Sequence, residues 1–82
     1  MNYIVEAFDK KTELLELEVE LPENCDSQIT EIMRWSTPPR GDEGYNLNAS
    51  QIAAIEKLAS RQFYDHNYIF QLTCNIDQGG LK

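Results

Sequence analysis

Any chemistry in this chain would have to be built from Cys25, Cys74, His66 and its carboxylates. Cys74 and His66 are the types needed for a thiol nucleophile and its base, with Asp65 beside the histidine to orient it. That pairing requires an exposed thiolate within hydrogen-bond reach of the imidazole, whereas Cys74 falls on the inward parity of a strand. Asp42 and Glu43 imitate the carboxylate pair of general acid–base catalysis, but adjacent loop residues seldom converge on one substrate atom. Two cysteines and a lone histidine at these spacings supply too few ligands for zinc, and no glycine-rich phosphate loop opens a helix. The expectation is a protein that is not an enzyme, with no catalytic residues, no metal and no cofactor. Both cysteines read as free thiols of a reducing compartment.

Charge says more. The chain has 82 residues and a net charge of −7. Residues 1–31 hold nine acids (Glu6, Asp9, Glu13, Glu16, Glu18, Glu20, Glu23, Asp26 and Glu31) against Lys10 and Lys11, while the remaining residues balance five acids with five bases. The whole imbalance therefore lies in the first third. Such a field repels nucleic acid and anionic lipid and attracts basic surfaces, so neither direct nucleic-acid binding nor membrane binding is expected. No run approaches membrane-spanning length, and Met1-Asn2 leads straight into a strand, which points to the cytoplasm. An apolar fraction of 41% and eight aromatic residues suit one folded domain over 1–82.

The element that positions the acids is a hairpin over 3–22, YIVEAFDKKTELLELEVELP. Leu15, Leu17, Val19 and Leu21 alternate with Glu16, Glu18 and Glu20, giving one aliphatic and one acidic face. Asp9, Lys10, Lys11 and Thr12 form the turn. Setting Ala7 opposite Leu15, Val5 opposite Leu17 and Tyr3 opposite Val19 buries the aliphatic set. Ile4, Glu6, Phe8, Leu14, Glu16, Glu18 and Glu20 are left on the other face, and a one-residue slip would put Glu6 among the leucines.

Pro22 ends the hairpin, Asp26 and Ser27 suit a helix cap, and a short helix is expected over 27–35. Trp35 either closes the core or stands at its edge. Residues 36–46, STPPRGDEGYN, read as a loop. A second helix over 49–63 starts from Asn48 with Gln51 in a capping box and Leu47 and Ile52 as a staple. Ile52, Ile55, Leu58 with Ala59, and Gln62 with Phe63 form its stripe. A last strand over 68–76 turns Tyr68, Phe70, Leu72, Cys74 and Ile76 inward. The fold class is α+β: a three-stranded, mainly antiparallel sheet in the order β-β-α-α-β, with two helices packed on one face. The closing strand is expected beside the first, leaving the acidic strand at an edge.

The segments YIVEAFDKKTELLELEVELP, IMRWS, LNASQIAAIEKL and YIFQLTCNI together resemble a family of small bacterial immunity proteins. These are the cytoplasmic partners of toxic C-terminal domains in contact-dependent growth inhibition and related colicin-like systems. The resemblance covers nearly the whole chain and rests on size, element order and general wording, with no invariant motif. It implies an antitoxin that blocks a cognate toxin C-terminal domain, a nuclease with a basic groove, by steric and electrostatic means. Toxin-binding candidates are the acidic face (Glu6, Glu16, Glu18, Glu20) or the loop with its flanks (Trp35, Arg40, Asp42, Glu43, Tyr45), which collects residue types favoured at binding hot spots. The alternative from another class is an acidic regulatory or scaffolding module that binds a basic host protein.

Overall fold

The hairpin begins from its turn. In the computed structural model, which describes residues 2–37 and 44–75, β1 (Asn2–Asp9) and β2 (Leu15–Glu20) are antiparallel. The Asp9 carboxylate accepts the N–H groups of Lys11 at 2.7 Å and Thr12 at 2.9 Å, which closes the turn locally. Those two donors, Thr12 foremost, hold the Asp9 carboxyl below its usual range. Glu13 takes a left-handed conformation at φ 64° and donates its N–H to the Asp9 carbonyl.

This turn sets a register two residues away from the expected one. Val5 faces Val19 and Ala7 faces Leu17. A shift of two keeps every side chain on its own face, so the alternating pattern is equally satisfied by both registers. A second departure does change faces. The ladder shifts between Ala7 and Phe8, so that Phe8 faces Leu15 and Glu16 has no residue opposite it. Leu15, expected in the core, is turned outward and is 44% exposed.

The remaining elements are α1 (Asp26–Met33), β3 (Gly44–Asn46), α2 (Ala49–Ala59) and β4 (Tyr68–Asn75), and the sheet order is β2-β1-β4-β3. The class is α+β with an antiparallel sheet and two helices, but the sheet has four strands where three were expected. The extra strand, β3, lies in what the sequence presents as loop. Three residues with glycine and asparagine at the ends carry no readable alternation, and Tyr45, opposite Leu72, is the one of them that is not exposed. The closing strand does lie beside β1, and β2 is an edge.

One face of the sheet carries the core. Tyr3, Val5, Ala7, Val19, Phe70, Leu72 and Cys74 pack with Cys25 and Ile29 of the first helical region, and with Ile52, Ile55 and Phe63. Among the described residues every buried side chain belongs to this apolar set. Each helix is shorter than its sequence pattern. In α2 the capping box is present as expected, with Gln51 N–H donating to Asn48 Oδ1 at 2.8 Å and Asn48 N–H to Gln51 Oε1 at 2.9 Å. The helix stops at Ala59 because Ser60 turns left-handed, and the Ser60 and Arg61 N–H groups cap the Lys57 and Glu56 carbonyls. Phe63 still reaches the core, because the Glu56 carboxylate accepts the N–H groups of Phe63 at 2.7 Å and Tyr64 at 2.8 Å. Gln62, expected in the buried stripe, is exposed.

Helix α1 ends at left-handed Arg34, and its N-cap position is Cys25, with no side-chain cap bond. Asp26, expected as a cap, instead accepts the Tyr3 hydroxyl at 2.6 Å and ties the helix start to β1. Burial, reinforced by that bond, raises the Tyr3 hydroxyl pKa well above the ordinary tyrosine range. Burial and the neighbouring Asp26 likewise push the Cys25 thiol up. Ile76, expected at the end of the last strand, lies outside the described residues.

Candidate functional site

The helices cover one side of the sheet; among the described residues no element covers the other, the open side. Across it Glu18 faces Glu6, and Glu6 faces Gln71, which faces Asn46. One row away, Glu20 faces Ile4, and Ile4 faces Thr73. Directly opposed residues in such a pair bring their Cβ atoms to about 5 Å, so Glu6 and Glu18 set two like charges against each other. Among the described residues the carboxylates of Glu6, Glu16, Glu18 and Glu20 have no hydrogen bond or ion pair. Glu18 and Glu20 are exposed and Glu6 half-buried, while Glu16 sits exposed at the bulge.

The far end of the same face is apolar. Phe8 lies between Leu15 and Ile69, and Leu14 precedes Leu15 at the turn. Leu14 is 63% exposed and Ile69 48%. Phe8 and Leu14 were legible as outward residues. Leu15 was missed because strict alternation assigns it inward. No signal in the sequence marks the change, because with Leu14 outward and Leu15 inward the pair satisfies the unbulged alternation. Ile69 stands at the outward parity of the closing strand.

The second set of candidates lies elsewhere. Trp35 and Tyr45 do meet, with ring centroids 5.0 Å apart and planes tilted by 53°. Both are half-buried against the core, and Tyr45 shares the covered side with its opposite residue, Leu72. The aromatic pair and the acidic row are therefore on opposite sides of the sheet and do not form one surface. Arg40, Asp42 and Glu43 lie outside the described residues.

Residues 2–73 match a family described as Domain of unknown function (DUF7683). The chain belongs to that family. No curated protein matches it. The matched span takes in all of β1, β2 and both helices of this DUF7683 domain, and hence every acid of the open face.

The residue types that suggested catalysis are kept apart in this DUF7683 domain. His66 is exposed in the turn before β4, where Asp65 accepts the Asn67 N–H at 2.8 Å, whereas Cys74 is 1% exposed near the far end of the strand. At the rise of a strand, Tyr68 at its start and Cys74 are separated by about 20 Å. Both cysteines are buried. Among the described residues no group of three or more His, Cys, Asp or Glu side chains could hold a metal. A shallow groove beside α2, of about 260 Å³, is lined by Ala49, Ile52, Ala53, Glu56 and Tyr64. Its one carboxylate, Glu56, is engaged by the backbone of Phe63 and Tyr64. Among the described residues no helix is long and apolar enough to cross a membrane.

Proposed function

We propose that this domain is an immunity protein, which binds a cognate toxin domain on the open face of its sheet and holds it inert. The toxin is a basic nuclease, blockade is steric and electrostatic, and the immunity protein does no chemistry and uses no metal or cofactor. Both act in the bacterial cytoplasm.

The observation that carries this reading is the direct opposition of Glu6 and Glu18, beside Glu20, on a face that no helix or strand among the described residues covers. Like charges placed opposite each other destabilise a strand pair. A cationic partner converts that cost into attraction. Nuclease grooves hold phosphates with lysines and arginines, so a row of carboxylates complements the same groups, steering encounter and excluding substrate. The acidic regulatory or scaffolding reading draws on the same face and differs only in the partner.

The experiment is co-expression with the toxic domain encoded directly upstream. Cell survival that depends on this domain, and that is weakened by the triple variant Glu6→Gln, Glu18→Gln, Glu20→Gln, supports immunity. Cell death despite a soluble, folded domain overturns it, and pull-down of a basic non-toxic protein would favour the regulatory alternative.

A further inference from the structure

We propose that the apolar end of the open face is an anchor site for one amphipathic basic helix of the partner. The helix seats large apolar side chains over Phe8, Leu15 and Ile69 and directs lysines or arginines at Glu6 and Glu18. This rests on the reading of the open face as a surface that captures a basic protein, and adds the form in which the partner presents itself.

The anchor is built by an irregularity. Without the bulge between Ala7 and Phe8, Leu15 would continue the inward parity of Leu17 and Val19; with it, Leu15 stands beside Phe8 on the outside. Leu15, Phe8 and Ile69 thus form one row across three strands, exposed except for the half-buried phenylalanine. Large apolar side chains grouped next to acids mark a surface with a hydrophobic centre and a charged flank, the composition of a binding patch.

Geometry selects the helix. Along β1, two residues separate the apolar row from the Glu6 row and four separate it from Ile4, about 7 and 13 Å. Helix positions four and eight apart lie about 6 and 12 Å along the axis on one side. A helix with an apolar residue at one position and a basic residue four further on therefore matches the face. An extended segment matches the same spacing at every second residue, but where its backbone is pressed against the apolar row it gives up water without gaining partners, whereas a helix pairs its own. Such a segment would need an edge of the sheet: at β2 the bulge and the exposed Glu16, Glu18 and Glu20 oppose strand addition, and β3 offers only three residues.

The test uses three probes on the isotope-labelled full chain: a leucine/lysine peptide with this spacing, a peptide of identical composition with the spacing permuted, and polylysine. The patterned peptide is expected to bind about tenfold more tightly than the permuted one. It should gain helical signal and shift the amide resonances of Phe8, Leu15 and Ile69. Leu15→Ser with Ile69→Ser should abolish that preference and leave salt-sensitive polylysine binding intact. Because both side chains are already exposed, the variant is expected to fold; Ile69→Thr alone repeats the measurement should it not. Equal affinity for the two peptides, a preference that survives in the variant, or shifts confined to the β2 edge with no helical signal would overturn the anchor. Absence of salt-sensitive polylysine binding would instead sink the capture reading beneath it.

Discussion

The two faces of this sheet come from the same strands, often from adjacent residues, and obey different rules. On the covered face Val19, Val5 and Leu72 form a continuous apolar row under Ile29, Ile52 and Ile55. On the open face the next row is Glu18, Glu6, Gln71 and Asn46. The first arrangement is what hydrophobic burial dictates for a small domain. The second is worse than a neutral polar face would be, because two carboxylates stand opposite each other. The contrast separates what the fold requires from what it merely carries, and the carried part is where binding is to be sought.

Substitutions sharpen that contrast from both sides. The largest effect is expected at Leu72, fully buried in the middle of the covered face. Leu72→Ala should cost about 2–5 kcal/mol, enough to unfold much of a domain of ordinary stability in a thermal or denaturant melt. Tyr3→Phe removes the hydroxyl that bonds Asp26 and should cost about 1.5–3 kcal/mol in the same melt. The bond also predicts a pH dependence. The Tyr3 pKa is raised on folding, so its stabilisation is complete below the ordinary tyrosine value of about 10 and is lost as pH climbs above it. Wild-type melts should therefore fall with alkalinity more steeply than those of Tyr3→Phe; parallel curves would show that the hydroxyl is not so held.

Asn48→Ala should cost about 1 kcal/mol by deleting the cap that starts α2, the helix bearing Ile52 and Ile55. The smallest effect has the opposite sign. Glu18→Gln relieves the opposition with Glu6 and should raise stability by about 0.5 kcal/mol while weakening capture of a basic partner. If the melt shows a loss instead, the glutamate row is part of the fold's stability and the contrast between the faces fails.

How much of this could be read in advance differs by element. The parity of the hairpin was legible, because a one-residue slip buries Glu6. The register was not, because a two-residue shift preserves parity, and the choice is made by left-handed Glu13 and the Asp9 turn. The start of α2 was legible because Asn48 and Gln51 form a complete local code. Its end was not, since the apolar spacing runs on to Phe63 while Ser60 breaks the helix. Helix α1 gave a misleading cap because Asp26 was taken by Tyr3, 23 residues earlier, a bond that no local pattern announces. The acidic half of the candidate site was visible as alternating glutamates. Its apolar half depended on a bulge, and bulges leave little trace in a single sequence.

The most direct test of the central claim is the association rate with the proposed toxin partner, followed from low to physiological ionic strength. Electrostatic steering predicts a rate that falls steeply with added salt, and a slower, flatter profile for the Glu6→Gln, Glu18→Gln, Glu20→Gln variant. A rate that is the same for both proteins at every salt concentration would contradict capture by the open acidic face.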